Sequence, residues 1–323
     1  MKHVLVTGGA GFIGSHLCDA LLARGYAVTA VDNLVTGRES NLESARQSGA
    51  ATGRFSFVRA DVSEPWVESD LPLISKFGLH GVLHFACPAS PVDFDRIPEV
   101  ILRVDSIGTF NTVDLALKHG ARYVLASTSE IYGDPLEHPQ KETYWGNVNT
   151  IGPRACYDEA KRFAEAVVST ATRLKGLRGG IVRIFNTYGP RMRLDDGRVV
   201  PELARQVLSD APLTIHGSGM QTRSFCFVSD LVEGILRLFE SAVTDPVNCG
   251  NPSEKTILEF AEAIQRAAKK TLPVRMLPGR QDDPHRRCPD ITRAMTLLGW
   301  SPQVSLDEGL ERTLVSFRQD LAK

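Results

Sequence analysis

The stretch Val4-Leu5-Val6-Thr7-Gly8-Gly9-Ala10-Gly11-Phe12-Ile13-Gly14 constrains this chain more than any other. Val4 to Thr7 reads as a short buried strand, and it runs directly into Gly8, Gly11 and Gly14. That spacing allows a tight turn, close approach of backbone to a pyrophosphate, and a following helix packed against its strand. Ser15 to Arg24 supplies the helix, its N-terminus facing the phosphates, and Gly25 ends it. Ala27 to Val31 reads as a second strand finishing at Asp32. A carboxylate there accepts hydrogen bonds from both hydroxyls of an adenosine ribose and repels a 2′-phosphate, so the expected cofactor is NAD rather than NADP. The expected cofactor contacts are Gly8, Gly11, Phe12, Ile13, Gly14, Asp32 and Asn33, with Tyr157 and Lys161 farther along the chain. Asp61 and Val62 join them at the end of a strand read over Phe57 to Val62, facing the adenine edge, and Ala86 at the tip of another over Gly81 to Ala86.

Strands and helices alternate through about residue 185, which predicts an α/β fold with a doubly wound parallel Rossmann-type sheet. Residues 1–185 are expected to form the NAD-binding domain, with a segment near 225–250 returning to it. Residues 186–323 are expected to form mainly a smaller substrate-binding lobe, rich in arginine: Arg191, Arg193, Arg198, Arg223, Arg280, Arg286 and Arg287. A net charge of −1 gives no reason to expect nucleic acid or an acidic membrane surface as partner. No apolar run is long enough to span a bilayer, and no signal peptide precedes the first strand, so a soluble cytoplasmic protein is expected. The six cysteines are scattered without a Cys-x-x-Cys, which suits reduced thiols. No metal site is expected, because His80 and His84 fall on a strand.

A second constellation carries chemistry. Tyr157 and Lys161 are four residues apart on a predicted helix that continues to about Lys175, so the ammonium can sit beneath the phenol and favour its ionised form. Free tyrosine titrates near ~10, and a nearby cation is what lets it accept an alcohol proton at neutral pH. The strand Tyr123 to Ser127 delivers Thr128, Ser129 and Glu130 to the carboxyl edge of the sheet, where ligands bind.

Gly8 to Gly14, Thr128 and Tyr157-x-x-x-Lys161 resemble the extended short-chain dehydrogenase/reductase superfamily of nucleotide-sugar enzymes. More narrowly, Ala126 to Pro135, Tyr144 to Asn149, Arg154 to Glu159, Asp196 to Val200, Gln221 to Phe225 and Asp282 to Asp290 are similar to the UDP-glucuronate decarboxylases. The resemblance implies that Tyr157 removes the proton of the sugar C4 hydroxyl while hydride passes to NAD, Thr128 holds the oxygen and Lys161 keeps the phenol acidic. Carbon dioxide then leaves the 4-keto uronate, and Glu130 and Arg287 attend the carboxylate and the protonation of C5, giving UDP-xylose. Ser129 belongs to the same cluster. Asn186, Arg191, Arg193, Arg198, Val200, Arg223 and Arg287 are the expected contacts to the nucleotide sugar, and the resemblance implies a homodimer through the tyrosine helix.

Some positions depart from the decarboxylase pattern. Arg193 stands where histidine is common and adds a cation near the sugar end; gripping the carboxylate, it would oppose decarboxylation and favour 4-epimerisation to UDP-galacturonate. Asp105 stands where asparagine is usual, Ala160 replaces a glycine, and Pro201-Glu202 replaces Ser-Asn. Epimerisation is therefore the alternative reaction, and a non-catalytic NAD sensor is a third reading, against which both Tyr157 and Lys161 are retained.

Overall fold

Strand β1 (His3–Thr7) is buried along its whole length and lies inside a parallel sheet. The computed structural model describes residues 1–50, 52–65, 68–279 and 286–322, and among these the sheet has seven strands. Their order is Pro246–Cys249, β6 (Arg178–Ile184), β5 (Arg122–Thr128), β4 (Gly81–His84), β1, β2 (Ala27–Asp32), β3 (Phe55–Arg59). Every adjacent pair is parallel. The chain is thus an α/β protein with a Rossmann-type sheet, and the order reverses between β1 and β4, where such sheets open a crevice.

Alternation along β1 assigns its side chains to two cores. Val4 and Val6 join Leu17 and Leu21 of helix α1 (Phe12–Ala23) on one face. Leu5 joins Ala164, Val167 and Val168 of the tyrosine helix (Ala155–Lys175) on the other. Those three residues of the tyrosine helix are therefore core. Phe163 is 45% exposed and meets the half-exposed Phe110 edge-on, with ring centroids 6.0 Å apart.

Strand β3 begins and ends earlier than the pattern of residues 57–62 suggests. The Asp61 carboxylate accepts bonds from the backbone N–H of Ser63 at 2.8 Å and from its hydroxyl at 2.6 Å, which turns the chain out of the sheet.

The strand Pro246–Cys249 extends the large sheet beyond β6. Outside that sheet, Glu254–Thr256 pairs antiparallel with Thr222–Ser224, and Arg286–Arg287 pairs parallel with the same strand, placing Arg287 opposite Arg223. Residues 280–285, which include Arg280 and the first part of the Asp282 to Asp290 motif, lie outside the described residues.

Candidate active site

The turn after β1 leaves no room for side chains. A Cβ on Gly14 would fall 2.0 Å from the Gly8 carbonyl oxygen, and one on Gly8 would fall 2.5 Å from that of Phe85, where Gly8 also has a left-handed φ of +67°. Gly11 is the N-cap of α1 and offers no side chain to satisfy the first N–H groups, which stay available to an anion. At the end of β2, the Asp32 carboxylate accepts from the backbone N–H of Ala10 at 3.0 Å and of Leu34 at 2.8 Å. Burial pushes its pKa upward, against the pull of those bonds. The cradle and the carboxylate together fit a dinucleotide lacking a 2′-phosphate.

Gly8, Gly11, Phe12, Ile13, Gly14, Asp32, Asn33, Val62 and Ala86 line one end of a continuous cleft. Thr128, Ser129, Glu130, Tyr157 and Lys161 line its middle, and Asn186, Arg193, Arg198, Val200, Arg223 and Arg287 its far end. Two expected contacts are absent from this lining. Asp61 instead accepts a bond from the Asn33 side-chain amide at 2.8 Å besides those from Ser63, so it positions a cleft residue rather than facing the cleft. Arg191 turns back onto α1 and pairs with Asp19 at 2.6 Å, because that carboxylate is its nearest partner.

The middle of the cleft is an electrostatic cluster. Tyr157 stacks on Phe94 at 5.0 Å between centroids, and the neighbouring Thr128 hydroxyl favours ionisation of its phenol. The Lys161 ammonium lies 5.9 Å from the centroid of the Tyr157 ring. Burial pushes the phenol's pKa up by more than Lys161 pulls it down, so the net shift is upward, opposite to what the Tyr157/Lys161 spacing alone suggests. One reason is visible in the geometry. Lys161 donates to the Ala126 carbonyl at 3.0 Å and pairs with the fully buried Asp105 at 2.9 Å, which absorbs part of its charge.

Glu130 sits beyond the end of β5 between two guanidinium groups. Arg287 pairs with it at 2.6 Å and Arg154 on its other oxygen. Arg287 also donates to the Ser129 hydroxyl at 3.2 Å and the Gly133 carbonyl at 3.0 Å. Burial disfavours the charge on Glu130, but Arg287, Arg154 and Arg223 outweigh it and hold the carboxyl well below the ordinary range. Arg154 reaches Asp158 as well, at 3.8 Å, and there burial and the charge of Glu130 raise the pKa.

Arg193 is engaged by the buried Asp93 at 3.1 Å and by Asp195 at 3.5 Å, and Arg198 pairs with Asp196. Away from the cleft, donor atoms of His138, Glu254 and Cys288 lie within 4.8 Å of one another. His138 and Glu254 already hydrogen-bond each other at 3.1 Å, and the Cys288 thiol donates to the Pro252 carbonyl at 3.4 Å.

A profile of the NAD dependent epimerase/dehydratase family matches residues 4–250. The chain belongs to that family. Among curated members, it is 49% identical over 316 residues to UDP-glucuronic acid decarboxylase 2 of Arabidopsis thaliana, covering 98% of this chain and 68% of the relative. It is 48% identical over 321 residues to UDP-glucuronic acid decarboxylase 1 of Danio rerio, covering 99% and 73%. Among solved structures, the UDP-glucuronic acid 4-epimerase of Bacillus cereus in complex with UDP-glucuronic acid and NAD superposes with a TM-score of 0.86 at 28% identity, over 98% of this chain and 99% of that one. As a member of the NAD dependent epimerase/dehydratase family, the chain is an NAD-dependent nucleotide-sugar enzyme.

The epimerase/dehydratase cleft holds residues that motif spacing did not single out as site residues. Arg154 and Asp105 each stand within a recognised stretch or at a noted departure, but their engagement of Glu130 and Lys161 depends on tertiary proximity. Phe94, which carries the tyrosine ring, had no signal beyond its apolar character.

Proposed function

We propose that this enzyme converts UDP-glucuronate through a 4-keto intermediate to UDP-xylose, releasing carbon dioxide. The observation that carries the reading is the Glu130–Arg287 pair at the carboxyl edge of the sheet, in the same cleft as Tyr157 and Thr128. Relatives named as decarboxylases over nearly the whole chain support it.

Bound NAD supplies the acceptor and later the donor of hydride at sugar C4, and its positive charge in the oxidised form favours the phenolate. Gly8, Gly11 and Gly14 bring backbone against its pyrophosphate, Asp32 holds the adenosine ribose, and Asn33, Val62 and Ala86 wall it in. Tyr157 takes the proton of the C4 hydroxyl, and Thr128 holds the oxygen. Loss of the carboxyl group β to the C4 ketone leaves an enolate at O4, which the Tyr157 and Thr128 hydroxyls stabilise by donation. Glu130 and Arg287 attend the departing carboxylate and the protonation of C5, with Ser129 steadying Arg287. Asn186, Arg198, Val200 and Arg223 contact the nucleotide diphosphate and sugar.

The assignment of residues 1–185 with the 225–250 return to the cofactor, and of the remainder to the sugar nucleotide, follows the same division. The six thiols, all free, support a cytoplasmic enzyme, and no described helix is long and apolar enough to cross a membrane. The exposed Phe110 and Phe163 pair supports homodimerisation along the tyrosine helix.

The second reading is 4-epimerisation to UDP-galacturonate, supported by the likeness to an epimerase structure that holds UDP-glucuronic acid. The engagement of Arg193 by Asp93 favours decarboxylation, since that cation is drawn away from gripping the uronate. Incubation with UDP-glucuronate, capture of carbon dioxide and identification of the nucleotide sugar tests the proposal. A pentose nucleotide with stoichiometric gas is expected, and an isomeric uronate without gas would replace it by the second reading.

A further inference from the structure

The helix leading from Pro98 into His119 is interrupted by a π-helical turn at Val104–Gly108. A π turn widens a helix by one residue and recurs at functional sites. Here it carries Asp105, which is 0% exposed and lies behind the cleft-lining Lys161 and Cys87. One carboxylate oxygen lies 2.9 Å from the Lys161 ammonium. The other accepts from the Cys87 thiol at 3.0 Å, and Cys87 itself lines the cleft.

We infer that Asp105 is a positioning residue for proton transfer at Tyr157: its buried carboxylate withdraws part of the Lys161 field from the phenol and so sets the pH above which the enzyme works. The inference rests on Tyr157 as the base, though not on which sugar is turned over. An ammonium next to a carboxylate is a dipole, and its field falls off faster than that of a bare cation. The same contact keeps Lys161 charged despite burial, with its pKa shifted upward because Asp105, Cys87 and Tyr157 outweigh desolvation. Asp105 therefore does two opposed things: it secures the cation and it dilutes the cation's effect.

The other ionisable groups facing this cluster leave that balance to Asp105. His84 of β4 is kept neutral by burial and by the Lys161 charge, with its pKa near 3, and it hydrogen-bonds Thr7 at 2.8 Å. Tyr123 of β5 is held protonated by burial. Burial also raises the Cys87 thiol and, on the tyrosine helix, the Cys156 thiol. Arg198, from the far wall, is matched by Asp196.

The test is Asp105→Asn, which keeps the shape and removes the charge, in the NAD-loaded enzyme. Ionisation of Tyr157 is followed directly by phenolate difference absorbance, with the Tyr157→Phe protein as blank, and in parallel by the acid limb of the kcat/KM profile. The midpoint is expected to move at least about one pH unit lower, equivalent to about a tenfold gain on the acid limb. An unchanged or higher midpoint in folded Asp105→Asn protein would overturn the inference. The spectroscopic arm does not depend on substrate, so a wrong sugar assignment leaves it intact. Cys87→Ala supplies an independent arm should Asp105→Asn fail to fold. Loss of the thiol donor concentrates the Asp105 charge on Lys161, so the midpoint should rise; no change, or a fall, would count against the proposal.

Discussion

The Arg287 guanidinium lies 2.6 Å from the Glu130 carboxylate, and both side chains are largely withdrawn from water at the end of β5. This contact turns a carboxylate that would repel a substrate uronate into one half of a matched pair. Replacing Glu130 by glutamine preserves shape while removing the charge that attends the carboxyl group and C5. Carbon dioxide release is expected to slow by at least about 10²-fold. Gas capture alongside nucleotide-sugar analysis checks it; near-normal release would remove Glu130 from the chemistry.

Breaking the same pair from its other side has a structural effect. Arg287→Met leaves Glu130 with Arg154 but removes its partner at the Ser129 and Gly133 contacts. Loss of one member of a buried pair is expected to lower unfolding free energy by about 3 kcal/mol. Denaturant unfolding of the variant measures this.

Tyr157→Phe removes the hydroxyl while keeping the ring stacked on Phe94. The variant should fold and retain NAD, with turnover reduced by about 10²-fold or more. Normal turnover would sink the assignment of Tyr157 as the base, whichever product the native enzyme makes.

The Ala10 and Leu34 N–H groups bond different oxygens of the Asp32 carboxylate, so Asp32→Asn retains an acceptor for one of them only, and it ends the repulsion of a 2′-phosphate. NAD affinity should fall by about tenfold, in line with losing a charged hydrogen bond of about 1.5 kcal/mol or more. The preference for NAD over NADP should narrow correspondingly. Calorimetric titration with both nucleotides reads the two effects separately.

Stability should depend on pH through buried histidine. His84 has its pKa lowered to about 3 by burial and Lys161, against an ordinary value of 6.5 in the unfolded chain. The unfolded state therefore binds a proton that the folded state refuses. The contribution of this neutral histidine is complete above about pH 6.5 and is lost as pH falls toward the folded pKa, by about 1.4 kcal/mol per unit. His16, lowered to about 4 by burial and Arg191, acts in the same direction. Unfolding free energies compared between about pH 7 and pH 5 should show the loss, and His84→Gln should reduce it.

The cofactor end of the cleft was legible because its signals are local. Glycine spacing, an acid at a strand end and a tyrosine four residues from a lysine each encode geometry within a few positions. The structure differs where a side chain finds a protein partner that motif spacing does not encode. Arg191 reads as a ligand-binding arginine until Asp19, on α1, claims it. Asp61 sits in the expected region, yet its own turn consumes the carboxylate. Helix periodicity alone places Lys161 near the Tyr157 ring, but it carries no information about Asp105, which reaches the ammonium from a different helix.

The edge strand Pro246–Cys249 closes the fold like a clasp. It comes after the first segments of the arginine-rich region, yet it hydrogen-bonds to β6 of the large sheet. A fragment ending near Phe185 would lack this clasp and present the bare β6 edge to other chains. Such an edge is a template for self-association, so the NAD-binding half should not be separable as an independent cassette. Domain exchange between members of the family would have to move two separate pieces of chain together.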